Sequence, residues 1–196
     1  MTAKRALDVV LSGAGLVLSS PLWAVIAAAI KLDSRGPVFF AQARVGVHGR
    51  IFEAYKFRSM VADAERETGP LQATARDPRV TRVGRLLRAT AMDELPQLLN
   101  ILRGDMSFVG PRALRPEEIE VDAAGVAVPI AAVAGFAVRC AVPPGLTGVA
   151  QIYARRDIAR RHKFRFDRVY VRRQSFGLDV RLILLSFWIT FRGTWE

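Results

Sequence analysis

"VVLSGAGLVLSSPLWAVIAAAI", residues 9–30, carries no charge from end to end. As a straight helix it would measure about 33 Å, enough to cross the hydrocarbon core of a bilayer. Three readings compete. A cleaved signal peptide fits the Lys4–Arg5 start and the small residues Ala27, Ala28 and Ala29. Against it, Asp8 lies in the approach and the run exceeds the roughly 7–15 apolar residues of such a segment. A simple transmembrane anchor is the second reading, and a re-entrant hairpin that enters and leaves by the same leaflet is the third. "SSP" at 19–21 falls mid-run, and Pro21 lacks an N–H and clashes with the carbonyl four residues back, which predicts a bend. The hydroxyls of Ser19 and Ser20 stand where they can satisfy the freed backbone groups, which lipid would leave unpaired at several kcal/mol. Lys4 and Arg5 precede the run and Lys31 and Arg35 follow it, so the positive-inside rule selects no direction. That is the pattern of two cytoplasmic ends, yet the run alone leaves anchor and hairpin both open.

The whole chain sets wider bounds. Its 196 residues suffice for one domain with a proper core. Twenty-nine Lys and Arg against 18 Asp and Glu give a formal charge of +11. That basicity asks for a polyanionic partner: nucleic acid, anionic lipid headgroups or a phosphorylated substrate. A hydrophobic content of 51% shifts the weight towards membranes. The single cysteine, Cys140, excludes an intrachain disulfide, and two histidines, His48 and His162, make no metal-binding Cys/His cluster.

From Gly36 the pattern turns to strands. "PVFFAQARVG" (37–46) and "IFEAYKFRSM" (51–60) read as a β-hairpin closed by "VHGR", whose Gly49 suits the turn. Alternation places Phe52, Ala54, Lys56 and Arg58 on one strand face, so two cations project together. The ordinary meaning of such a pair is a solvated, charge-protected edge. Residues 61–80 read as a polar helix followed by a loop, punctuated by Gly69–Pro70 and Asp77–Pro78. "TRVGRLLRATAM" (81–92) reads as a short basic helix with Arg82, Arg85 and Arg88. In "DELPQLLNILRG" (93–104), Leu95, Leu98, Leu99 and Leu102 recur at helical spacing, with Gly104 as the C-terminal cap. Pro96 fits only near the start of that helix. Asp93 and Glu94 are therefore expected at its N-terminus, where acidic residues commonly cap and where a phosphate is also favoured. Adjacent helical residues point about 100° apart, which gives the two carboxylates different surroundings.

"GDMSFVGPRAL" (104–114) is a tight Gly/Pro turn presenting Arg112. Residues 121–142 are small and apolar, either a surface-lying helix or a packed insert. "PPGLTGVAQIYARRD" (143–157) reads as a loop and then a strand. A basic run over 155–173 leads to an amphipathic helix, "LDVRLILLSFWITFRGTW" (178–195), which suits a membrane interface or a core contact equally.

"FFAQARVG", "YKFRSM", "DPRVTRVGRLLRATAMDELPQLLNILRGDMSFVGPRAL" and "PGLTGVAQ", in this order behind a Ser-Pro membrane segment, closely resemble the bacterial sugar transferase family. These are small monotopic polyprenyl-phosphate phosphoglycosyl transferases, and the likeness covers nearly the whole chain. The resemblance implies a mixed α/β fold of the helix-rich α+β kind. Residues 1–32 would form a re-entrant helix-break-helix hairpin broken at Ser20–Pro21. Residues 33–196 would form a compact cytoplasmic catalytic domain with a β-hairpin and surface amphipathic helices. It implies attack by Asp93 on the β-phosphate of a UDP-sugar, release of UMP, and transfer of the phosphosugar to undecaprenyl phosphate. Glu94 would bind Mg²⁺, and Lys56, Arg58, Arg88, Pro111, Arg112, Arg155 and Asp167 would bind substrate. The expected setting is the bacterial inner (cytoplasmic) membrane, with its lipids and a homodimer partner and without nucleic acid.

Elementary chemistry agrees with these roles. A carboxylate nucleophile divides a hard displacement into two easier ones. Mg²⁺ takes hard oxygen ligands, commonly one or two carboxylates plus phosphate oxygens. A phosphoryl group in transfer needs cations around its oxygens. Two departures concern the donor pocket. The family commonly has Asn-Gly-Arg after "VAQ", where this chain has Tyr153-Ala154-Arg155, and Pro143 stands where a basic residue is usual before "PGLTG". The apolar 121–142 stretch is also unlike the family. The rival readings are a membrane-anchored basic nucleic-acid-binding module and a non-catalytic scaffold; both leave Asp93 and Glu94 idle.

Overall fold

The computed structural model describes residues 2–64, 77–121, 125–155 and 158–192. The uncharged run lies within one helix, α1 (Ala3–Asp33), started by the Thr2 hydroxyl, which accepts from Arg5 N. The helix continues through Pro21, so the expected helix-break-helix is instead a single apolar helix. The reason lies one residue earlier. Pro21 leaves the Val17 carbonyl without its helical donor, and the Ser20 hydroxyl donates to that oxygen at 2.8 Å. Ser19 has a different task, accepting from the Trp23 indole N–H at 3.0 Å.

α1 is attached to the rest of the protein along its length. Near its start, Lys4 donates to Asp179 and to the Val109 carbonyl, both at 2.9 Å. Arg5 reaches the Ile101 and Leu102 carbonyls at 2.5 and 2.7 Å. Asp8, buried, accepts from the Ser107 hydroxyl and the Phe108 N–H at 3.0 Å. In the middle, Leu16 packs with Leu98 and Ile101, and Gly15 lets Leu98 approach closely enough that a Cβ would sit 3.1 Å from its methyl. Towards the end, Trp23, Ile26 and Ile30 pack on Phe57 and Leu87, and Asp33 accepts from Val83 N at 2.8 Å. On the opposite side Val10, Val17, Leu18, Val25 and Leu32 are exposed, an apolar stripe at near-heptad spacing.

The hairpin forms as the alternation predicts. β1 (Phe39–Val45) and β2 (Ile51–Phe57) pair antiparallel, with Phe40 opposite Lys56, Gln42 opposite Ala54 and Arg44 opposite Phe52. Its turn uses positive φ at His48 and Gly49. After the polar 61–80 stretch, most of which lies outside the described residues, come α2 (Arg82–Ala89) and α3 (Gln97–Arg103). Thr81 caps α2 by accepting from Gly84 N, and Gly104 ends α3 at φ 99°.

β3 (Ser107–Val109) pairs in parallel with β6 (Gly145–Thr147). The approach needs glycine, because a Cβ on Gly145 would lie 2.1 Å from Gly110 N. Between these strands, β4 (Ile119–Val121) and β5 (Ala127–Pro129) form a second hairpin, and α4 (Phe136–Arg139) follows. The apolar stretch is thus a packed insert: Ile130 joins Leu114 and Phe164 in a buried cluster. Residues 149–153 form a short helix, α5 (Val149–Tyr153), and not the expected strand. Helical spacing turns Val149 and Ile152 together onto the Tyr170–Leu182 cluster, and this packing overrides their β-branched preference. α6 (Arg160–Arg173) and α7 (Phe176–Arg192) complete the fold. α7 buries Asp179, Leu182 and Ile183 against the core, one of the two readings the sequence left open, while Leu184, Phe187, Trp188 and Phe191 are exposed. The architecture is a helix-rich mixed α+β fold with three small two-stranded sheets among the described residues.

Candidate active site

Asp93 and Glu94 occupy a 3₁₀ turn, Met92–Glu94, placed just ahead of α3 and not in its first turn. Ala91 enters it in the left-handed region, φ 55°, uncommon for a residue with a side chain. Glu94 N closes the turn on the Ala91 carbonyl, and Pro96 then carries the chain into α3 at helical angles. Asn100, fully buried on α3, locks this segment against the hairpin. Its amide oxygen accepts from Tyr55 N at 3.0 Å and its nitrogen donates to the Glu53 carbonyl at 2.7 Å. Lys56 is thereby held over the turn, and its ammonium meets Glu94 Oε1 at 2.6 Å. Arg112 approaches the same oxygen at 3.8 Å.

The two adjacent carboxyls are driven apart. Burial pushes Asp93, 8% exposed, up to about 6; Lys56 and Arg88 oppose this and Glu94 adds to it. Burial also acts upwards on Glu94, but Lys56 and Arg112 outweigh it and hold that carboxyl at about 2. Neighbouring titratable groups with divergent acidities are a common sign of divided labour in a site. Around Glu94 lies a small open cleft lined by Arg44, Lys56, Gln97, Met106, Arg112 and Leu146, among others. Arg44 stands on the hairpin face that carries Lys56; burial and the neighbouring Arg112 and Arg115 lower its guanidinium to about 10. Three cations facing one carboxylate make the cleft suited to a further anion.

The remaining expected residues divide. Arg88 is exposed and close enough to Asp93 to act on its charge, and its Nε donates to the Ser59 hydroxyl at 2.9 Å. Arg58 does not share the cleft with Lys56: it is buried and donates to the carbonyls of Ser34, at 2.8 Å, and Arg35. β2 ends at Phe57, so strand alternation no longer applies at Arg58. Pro111 is buried behind Arg112, its carbonyl accepting from Gly145 N at 2.9 Å. Asp167 is also buried, paired with Arg139 at 2.9 Å. Arg155 is exposed beyond α5, away from the cleft lining. Ser20 and Pro21 lie on α1. Sequence reading missed Arg44 and Asn100. Pairing the two strands' alternations would have found the first, whereas the second is a polar residue within an apolar helical run.

Among the described residues no cluster of three or more His, Cys, Asp or Glu could hold a metal unaided. The donor set suits a different kind of site. Glu94 Oε1 faces Lys56, while Oε2 has no hydrogen-bond partner among the described residues. One free carboxylate oxygen fits Mg²⁺ whose other ligands are substrate phosphates and water.

A helix long and apolar enough to cross a membrane is packed on a domain whose cationic cleft is lined by Glu94, with Asp93 buried beside it and outside the cleft lining. The chain belongs to the bacterial sugar transferase family, whose profile matches residues 1–193. It is 43% identical, over 95% of its length, to an undecaprenyl-phosphate glucose phosphotransferase of Komagataeibacter xylinus. It is 41% identical, over 92% of its length, to a UDP-N-acetylgalactosamine-undecaprenyl-phosphate N-acetylgalactosaminephosphotransferase of Aeromonas hydrophila. It spans 35% and 41% of those two proteins. The exopolysaccharide production protein PSS of Rhizobium leguminosarum bv. phaseoli is 40% identical over 93% of this chain and 92% of its own length.

Proposed function

We propose that this chain transfers a sugar-1-phosphate from a UDP-sugar to undecaprenyl phosphate through a covalent aspartyl intermediate. The observation that carries the reading is the split pair: a buried Asp93 beside a Glu94 held ionised among cations. An ionised Asp93 oxygen attacks the β-phosphorus of the donor. The bond from that phosphorus to the bridging oxygen breaks, and UMP leaves with the electron pair. An oxygen of undecaprenyl phosphate then attacks the same phosphorus, and the Asp93 carboxylate departs unchanged. Lys56, Arg112 and Arg88 surround the negative oxygens in both displacements. Mg²⁺ held by Glu94 and the donor's phosphates supplies further charge neutralisation when bound. The relatives' names differ in their sugar, so family membership does not select the donor. UMP release from a panel of UDP-sugars tests the reading; protein that binds nucleic acid or serves as a scaffold releases none.

The cluster makes its own prediction. Arg88→Ala and Arg112→Ala are each expected to lower kcat/KM by tenfold or more, since a charge-assisted phosphate contact is worth about 1.5–3 kcal/mol. Arg172→Ala and Arg173→Ala, at exposed positions on α6, are expected to change it less than twofold. Equal small losses at all four positions would reduce the arginines to a general field.

The same reading places residues 1–32 in one leaflet, with 33–196 as the catalytic domain on the cytoplasmic side. Support comes from the polar contacts at both ends of α1: Lys4, Arg5 and Asp8 at one, Asp33 at the other, all to the same body. A 31-residue helix is about 46 Å long, and a straight crossing would carry its start away from those partners. With Cys140→Ser as background, Thr2→Cys is expected to stay unlabelled by a membrane-impermeant thiol reagent in intact cells. It labels once the inner membrane is opened. Labelling from the periplasm would make α1 a simple crossing anchor.

A further inference from the structure

We propose that Arg139, in the apolar insert, is a positioning residue that aims Arg112 into the cleft; this rests on Arg112 serving phosphate as proposed above. The Arg112 side chain is 56% exposed and touches the site only through the 3.8 Å approach to Glu94. Its direction is therefore set by the backbone that carries it.

That backbone is fastened at every residue. Gly110 N donates to the Thr147 carbonyl, and the Pro111 carbonyl accepts from Gly145 N, both at 2.9 Å. The Arg112 carbonyl accepts from Arg139 Nη2 at 2.5 Å, the Ala113 carbonyl from Arg44 Nη1 at 3.0 Å, and the Leu114 carbonyl from Val45 N at 2.9 Å. Side chains hold three of the segment's carbonyls: Gln151 Nε2 reaches that of Gly110 at 3.2 Å, Arg44 that of Ala113 and Arg139 that of Arg112, so Arg139 grips the residue whose side chain matters. Its guanidinium is fixed beforehand: Nε donates to Asp167 at 2.9 Å, and the group lies 4.8 Å from the Phe164 ring centre. Arg139 and Asp167 are each 4% exposed at the side chain, so neither reaches substrate. The planar fork of arginine serves two acceptors at once, which a lysine ammonium at the same place does not match. This gives the insert a task, and it gives Asp167 an indirect one.

The test uses the full chain and reads UMP release from UDP-glucose and UDP-N-acetylgalactosamine, with kcat and KM separated. Arg139→Lys keeps a cation beside Asp167 and is expected to lower kcat/KM about tenfold without lowering Tm. In an Arg112→Ala background the same change is expected to cost less than twofold, because the residue it acts through is gone. Should Arg139→Lys fold poorly, Arg139→Met with Asp167→Leu removes both buried charges together and is expected to show the same pattern. Equal losses in both backgrounds, or no loss from either variant, overturn the proposal while leaving the phosphate role of Arg112 intact. If Arg112→Ala alone leaves kcat/KM unchanged, the phosphate role fails and the positioning proposal falls with it.

Discussion

Asp93→Asn is expected to abolish UMP release and, at the same time, to make the protein more stable. The amide is nearly the shape of the carboxylate but a poor nucleophile, so intact-protein mass spectrometry with donor alone should show a phosphosugar adduct on wild type and none on the variant. The stability gain follows from the surroundings of Asp93. A carboxyl at about 6 in the folded protein, against 3.8 ordinarily, is ionised at a cost once the pH rises through that window. Stability from this group is therefore fully present below pH 3.8 and lost by pH 6. At pH 7.5 the loss is on the order of 3 kcal/mol, which Asp93→Asn recovers. The gain in Tm should be several degrees at pH 7.5 and vanish near pH 4. Activity runs the other way, since only the ionised form attacks: wild-type kcat/KM should fall about tenfold per pH unit below about 6. Substantial turnover by Asp93→Asn would remove it from the reaction centre.

Glu94→Gln is expected to lower activity at least a hundredfold, the size seen when a group stabilising developing charge is lost. Three cations would then face the cleft with no carboxylate between them. A second readout separates this from general damage. The Glu94 charge helps to raise Asp93, so in the variant the acidic limb of the residual activity should move to lower pH. Raising Mg²⁺ within the ordinary range should not restore the rate. Wild-type activity that survives EDTA unchanged would show that Glu94 acts without a metal.

The sequence carried the local elements well where a period and a stop signal coincided. The β1–β2 hairpin follows from alternation on both sides of Gly49, and α3 from its leucine spacing and Gly104. Asp93 and Glu94 stood out through Pro96, although the left-handed Ala91 that detaches their turn has no residue signature. Failures arose where tertiary partners decide. Val149 and Ile152 look like strand residues but turn together as a helix because the α6–α7 cluster lies on one side. Arg58 looks like a companion to Lys56, but the strand has already ended and the Ser34 and Arg35 carbonyls take its guanidinium. Asp167 was expected at substrate; the structure shows it buried in a pair with Arg139. None of these acceptors is near in sequence, so no local pattern could announce them.

The attachment of α1 has a consequence for how the protein can be divided. Ile26 and Ile30 are as deeply buried as Phe57 and Leu87, which they cover, and Lys4 and Asp8 supply partners to Asp179, Ser107 and Phe108 N in the interior. Trimming the chain after residue 33 would uncover an apolar trench and strand a buried carboxylate. α1 is thus a wall of the folded body, and a fragment lacking it is expected to aggregate on expression rather than fold.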